Sequence, residues 1–213
     1  MGRLHFSLLR PNGVRDDSGF LLNMLEPYDI HTRICRGDVV LDAGASVGEQ
    51  TLMYSAMVGR EGRVISVEPS PIRAAMLKRN VELNRLGNVT VVVGALWSSP
   101  GTIELEFYSP EIPGFKMTES GPLKATVKTH TIDQIASELG IDQIDFLKMD
   151  IEGGEYEVLK NTSIRIKAMG METHIVNGEN TVHPIMKLLR ERGYSSYVQW
   201  RSGGLHILNA LLT

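Results

Sequence analysis

VVLDAGASVGEQT, residues Val39 to Thr51, decides the fold: a short apolar run ends in Asp42 and passes directly into a turn carrying Gly44 and Gly48. The run reads as a buried strand, and the residues after the turn as a helix from roughly Glu49 to Val58 that stops at Gly59. Glycine removes the Cβ where backbone must bend sharply or approach a ligand, and the helix start offers N–H groups without partners inside the helix. A nucleotide-like cofactor suits such a place. The spacing is D-x-G-x-x-x-G, with Ser46 and Glu49 standing where the dinucleotide fingerprint G-x-G-x-x-G has its second and third glycines.

Working outward, a second strand, Val64 to Val67, ends in Glu68 and Pro69. An acidic residue there, about 20 residues past a glycine turn, is placed to accept hydrogen bonds from both ribose hydroxyls of an adenosine. Ser70-Pro71 then opens a helix running to Gly87, with Ala74, Leu77 and Val81 on its buried face. A third strand, Val89 to Val93, ends at Gly94-Ala95-Leu96, where small residues let an adenine ring lie against backbone. The fourth strand, IDFLKMD from Ile144 to Asp150, sets Phe146, Lys148 and Asp150 on one face. A lysine in an apolar central strand needs a partner. Asp150 is the nearest candidate, and Glu152 and Glu155 follow in the next turn. Ligands of open α/β sheets sit at the carboxyl ends of the strands, so Asp42, Glu68, Gly94 and Asp150 are expected on one rim.

The glycine turn resembles motif I of the S-adenosylmethionine-dependent methyltransferases, with Ser46 in place of the usual middle glycine. KMDIEGGEYEVLKN resembles the K-x-D-x-E-G-x-E motif of the FkbM-type members, which mostly methylate hydroxyls of sugars and polyketides. The similarity runs from Gly37 to about His174 and includes VISVEPSP, the H-T-I-D-Q-I segment, and Glu172 and His174 as the E-x-H at the end of the fifth strand. The resemblance implies an α/β fold: a seven-stranded Rossmann-like sheet, mostly parallel, with an antiparallel C-terminal strand and helices on both faces. It implies S-adenosylmethionine as cofactor, held by Asp42, Gly44, Ala45, Ser46, Gly48, Gln50, Thr51, Glu68, Pro69, Gly94, Ala95, Leu96 and Asp150. Lys148, Asp150, His174, Glu172 and Glu152 are the expected catalytic set, with Glu155 in support and no metal. An imidazole with its ordinary pKa of about 6.5 would make His174 a base near neutrality.

The remaining stretches set the boundaries. Residues 1 to 36 read as a leader or cap whose Glu26, Tyr28 and His31 could reach the cleft, and 37 to 213 as the catalytic domain. Thr102 to Phe107 reads as a short extra strand, Tyr108 to Lys128, with three prolines and two glycines, as a long substrate-choosing loop, and Thr131 to Leu139 as a helix. Pro184 to Arg192 is a last helix, and Tyr194 to Trp200 with Leu205 to Leu212 a β-hairpin, which dinucleotide-binding folds lack here and which argues against a nicotinamide enzyme.

A net charge of −3 and a pI near 6.1 give no electrostatic case for nucleic acid. Arg73, Lys78, Arg79 and Arg85 read as a solvated helix face. The single cysteine, Cys35, reads as a buried hydrophobe, and together with the lack of any membrane-length apolar window it suggests a cytoplasmic protein. The first expectation is methyl transfer to a hydroxyl oxygen of a small molecule or sugar. N-methylation of nucleic acid or protein, and a non-catalytic S-adenosylmethionine-binding module, are the alternatives.

Overall fold

The computed structural model describes residues 8–9, 15–16, 34–107, 123–176, 178–200 and 206–213. Two short antiparallel strands, β1 (Leu8–Leu9) and β2 (Arg15–Asp16), belong to the leader; Glu26, Tyr28 and His31 lie outside the described residues. β3 (Val39–Ala43), α1 (Glu49–Val58), β4 (Arg63–Glu68), α2 (Pro71–Leu83) and β5 (Val89–Val93) follow as read from the sequence. At the start of α2 the Ser70 hydroxyl accepts from the Arg73 N–H and Pro71 occupies the first turn, where its missing N–H costs nothing.

The next stretch corrects one expectation. β6 (Ala95–Leu96), β7 (Gly101–Phe107) and β8 (Leu123–His130) form a separate three-stranded sheet in the order β6-β8-β7. The end of the expected loop is therefore strand. From Lys124 to Lys128 the side chains alternate, with Lys124, Thr126 and Lys128 exposed and Ala125 and Val127 turned inward, a period of two that the prolines and glycines just before it conceal. Residues 108–122 lie outside the described residues.

α3 (Ile132–Glu138) starts at Thr131, whose hydroxyl accepts from the Gln134 N–H at 3.0 Å. β9 (Gln143–Met149), α4 (Glu155–Lys160) and β10 (Arg165–Thr173) come next, then a small hairpin of β11 (Ile175–Val176) and β12 (Glu179–Asn180) that no pattern announced. α5 (Val182–Glu191), β13 (Tyr194–Trp200) and β14 (His206–Leu212) complete the chain.

The main sheet has seven strands in the order β13-β14-β10-β9-β3-β4-β5, and β14 alone runs antiparallel to its neighbours. Successive residues of each central strand feed opposite cores. Leu41, Ala43, Leu147 and Met149 pack with α3, α4 and α5, while Val40, Val64 and Phe146 pack with Met53, Tyr54 and Val58 of α1. Tyr54 meets Phe146 edge to face at 5.9 Å, worth ~1 kcal/mol beyond its burial. The expected α/β sheet with helices on both faces is present. Cys35 is exposed rather than buried, because it lies in the turn that its N–H closes onto Asp38 just ahead of β3. Among the described residues no helix is long and apolar enough to cross a membrane.

Candidate active site

At the end of β3 the Gly44 and Ala45 N–H groups both donate to the Val67 carbonyl, which turns the chain toward β4. Gly44 has φ +75°, and a Cβ there would overlap the Asp150 carbonyl oxygen. Only glycine lets β3 and the end of β9 approach this closely. Ser46, at φ +51°, donates its N–H to Glu68 at 2.9 Å, so the turn is tied directly to the end of β4. Gly48 serves packing between helices instead. A Cβ there would stand 2.6 Å from the Leu77 side chain, so its absence permits α1 to lie against α2.

Behind the turn lies a buried polar cluster. Thr51 donates to Asp42 at 2.6 Å and shares a hydrogen bond with Ser66, and Lys148 pairs with Asp42 at 3.5 Å. The Lys148 ammonium also donates to the carbonyls of Ala43 and Gly44, at 3.3 and 2.9 Å. The expected Lys148–Asp150 pair is thus replaced by Lys148–Asp42. Register explains this, since β3 and β9 run side by side with Asp42 opposite Lys148. Lys148 is 4% exposed and stands behind the glycine turn, where it braces the backbone.

In front of the turn is a cavity of about 170 Å³. Of the residues expected to hold the cofactor, Gly44, Ser46, Glu68, Pro69, Gly94, Ala95, Leu96 and Asp150 line it. Asp42, Ala45, Gly48, Gln50 and Thr51 are absent from its wall. Sequence reasoning missed Val67, Arg73, Ile103, Leu105 and Ile151. Ile103 and Leu105 come from β7, whose alternation was legible but whose position beside the Gly94 turn depends on pairing with β8. Arg73 is buried rather than solvated, which takes it out of the basic helix face.

Glu68 is 2% exposed, and its two oxygens accept from the N–H groups of Ser46 and Ser70, both at 2.9 Å. Burial pushes its pKa up to about 7, against the opposing pull of those N–H groups and of Arg73. Each oxygen has lone-pair capacity left for a diol. A ribose fits that carboxylate, an adenine fits the apolar wall of Leu96, Ile103 and Leu105, and S-adenosylmethionine is matched by the donor set.

Lys148, Glu172 and His174 are also absent from the cavity wall, but His174 stands beside its Asp150 and Glu152, among carboxylates. Its Nδ1 lies 3.1 Å from Glu155 Oε1, and its Nε2 lies 3.4 Å from Glu152 and 3.9 Å from Asp150. Glu172, buried on β10, adds its charge to the group. Burial would lower the His174 pKa, but the hydrogen bond to Glu155 and the charges of Glu155, Glu152 and Asp150 outweigh it and raise it to about 9. The ring is therefore an imidazolium at neutrality, which corrects the expectation of an ordinary histidine base. Glu152, at φ +59°, is raised to about 7 by burial and by Asp150, Glu172 and Glu155, against the pull of His174. Asp150, Glu152 and His174 each bring one donor atom within 4.8 Å of the others, a spacing one divalent cation could bridge.

The model of the methyltransferase FkbM domain matches residues 42–196, the span that runs from the glycine turn through the His174 cluster to β13. The chain belongs to the FkbM methyltransferase family. Among curated relatives, methyltransferase sdnD of Sordaria araneosa is 29% identical, with 62% of this chain and 63% of that protein aligned. The hexuronic acid methyltransferase AglP of Haloferax volcanii is 25% identical over 76% of this chain and 65% of its own length. The FkbM chain thus spans somewhat under two thirds of the length of these relatives. A solved FkbM methyltransferase from Methylobacillus flagellatus superposes with a TM-score of 0.54 at 18% identity, covering 82% of this chain and 43% of that one. Fibrillarin of Aeropyrum pernix, crystallised with natively bound S-adenosylmethionine, superposes with a TM-score of 0.56 at 16% identity, covering 85% of this chain and 70% of its own. Both likenesses concern the fold.

Proposed function

We propose that this protein transfers a methyl group from S-adenosylmethionine to a hydroxyl oxygen of a small molecule or sugar. The observation that carries the reading is a single cavity whose wall runs from Gly44 and Glu68 to Asp150 and Glu152, so the cofactor end and the proton-handling end share one space. When bound, S-adenosylmethionine supplies a methyl group made electrophilic by its sulfonium. What remains for the protein is to align the acceptor oxygen and manage one proton. Glu68 takes the ribose, the wall of Leu96, Ile103 and Leu105 takes the adenine, and the Gly44 to Ser46 turn takes the methionine end. Glu152, with a pKa near neutrality, accepts the hydroxyl proton as the oxygen forms its bond to carbon and the carbon–sulfur bond breaks. The His174 imidazolium, whose Nε2 lies 3.4 Å from Glu152, supplies the positive charge that offsets the developing negative charge on oxygen. The hexuronic acid methyltransferase among the relatives supports a sugar acceptor.

Calorimetric titration with S-adenosylhomocysteine is the first test. Micromolar binding that Glu68→Ala weakens at least ~10-fold, equivalent to ~1.4 kcal/mol, is the expected result. S-adenosylhomocysteine release is then followed over a panel of glucose, methyl glucosides, glucuronate and glucosamine. Absence of binding by the wild type would overturn the cofactor assignment, and methylation confined to amines would overturn the choice of oxygen.

A further inference from the structure

We propose that Glu155 is the positioning residue of this site, fixing the His174 ring and the turn that carries Glu152 through one carboxylate oxygen. The inference rests on the methyl-transfer reading above. Glu155 has no exposed surface, so it does not touch either reactant. Its Oε1 accepts from the N–H of Ile151 at 3.4 Å and of Gly153 at 3.1 Å, closing the turn in which Glu152 adopts φ +59°. The same oxygen faces His174 Nδ1 at 3.1 Å. Because that oxygen already serves as acceptor to two backbone N–H groups, we assign Nδ1 as the donor to it. That settles the ring's orientation and turns Nε2 toward Glu152 and Asp150. From the other side, the His174 carbonyl accepts from both the N–H and the hydroxyl of Thr181, which holds the backbone of the ring's own residue.

A left-handed conformation at a residue with a side chain is unfavourable and persists only where neighbours impose it. At Glu152 the two N–H groups held by Glu155 flank that residue on both sides. One buried carboxylate therefore sets the direction of both proton-handling groups. Asp150 reaches the same point independently, from the end of β9, where its N–H donates to the Ala43 carbonyl.

The test reads ring orientation and turnover separately. With histidine labelled by nitrogen-15, long-range couplings measured at about pH 10, above the ring's pKa of about 9, should place the remaining proton on Nδ1 in the wild type. Glu155→Gln keeps an oxygen at Oε1 and should retain that tautomer. Glu155→Ala should lose it, lower kcat roughly 100-fold through misplaced groups, and change the dissociation constant for S-adenosylhomocysteine less than about 3-fold. A purely structural role would instead lower melting temperature and cofactor affinity together and leave kcat on the folded fraction unchanged. A wild-type ring protonated on Nε2 overturns the proposal whatever the variants do, as does a folded Glu155→Ala with native tautomer and native kcat. Should Glu155→Ala fail to fold, the wild-type and Glu155→Gln spectra decide. If the wild type binds S-adenosylhomocysteine but methylates nothing in the sugar panel, the oxygen-transfer reading falls while the ring measurement still judges Glu155.

Discussion

Replacing Lys148 with methionine separates a bracing role from a catalytic one. In the folded protein the ammonium pairs with Asp42 at 3.5 Å and donates to two carbonyls of the glycine turn, with both charged side chains removed from water. At an effective dielectric of about 20, unit charges at that separation attract by roughly 5 kcal/mol, and removing one member of a buried pair typically costs ~3–5 kcal/mol because the other charge is left unpaired. Thr51 continues to donate to the far oxygen of Asp42, which favours the lower half of that range. For a domain of this size a loss of ~3 kcal/mol lowers the melting temperature by roughly 6–12 °C. Lys148→Met should therefore melt in that window and bind S-adenosylhomocysteine more weakly, since the Gly44 carbonyl loses its anchor. Adding Asp42→Asn should recover part of the stability, and scanning calorimetry on the four proteins of the cycle gives the coupling. If Lys148→Met melts within about 2 °C of the wild type, less than ~1 kcal/mol would produce, binds the product normally and yet fails to turn over, the bracing account is wrong and the lysine acts on the substrate.

Glu68 should make the cofactor-free protein lose stability as the pH rises from about 4.5 to 7. Its folded pKa of about 7 lies above the ordinary 4.5, so the stabilisation it contributes is fully present below about pH 4.5 and is lost as pH rises through 7, by about 3 kcal/mol in all. Urea titrations at several pH values should show that trend in the wild type relative to Glu68→Leu, and parallel curves for the two proteins would contradict it. For turnover, kcat/KM should rise through about pH 7 as Glu152 ionises and fall through about pH 9 as His174 loses its charge. A profile that only rises across pH 9 would make His174 the base. Ser46→Gly relieves a side chain at φ +51° while adding flexibility to the unfolded chain, so it should be neutral or stabilise by up to ~1 kcal/mol in chemical denaturation.

What the sequence made legible were features governed by local rules: apolar runs, alternation, and glycine or serine at element ends. The terminal β13–β14 hairpin and the convergence of Gly44, Glu68 and Gly94 at strand ends follow from them. What escaped depends on which strand lies beside which. Pairing Lys148 with Asp150 weighs nearness along the chain, whereas the decisive neighbour is Asp42, more than a hundred residues earlier and one register position across. The signal was present, since Asp42 and Lys148 stand at matching places near the carboxyl ends of adjacent central strands. Ile103 and Leu105 escaped for the same reason, because only the β7–β8 pairing brings that strand to the cavity.

The protonation states at the mouth escaped for a further reason. A histidine's ordinary pKa describes it alone in water, and the carboxylates around His174 come from the end of β9, the following turn and α4. Burial of a lone imidazole would have lowered its pKa, the opposite of what the assembled site does. The K-x-D-x-E-G-x-E spacing nevertheless contains the answer in outline. It puts carboxylates at Asp150, Glu152 and Glu155 within one strand end and one turn, so any histidine delivered by the neighbouring strand must enter a strongly negative field. A charged imidazole beside a carboxylate that titrates near neutrality is then the direct consequence of that motif meeting the E-x-H at the end of β10, and the proposed mechanism uses the pair to divide proton acceptance and charge stabilisation between two residues.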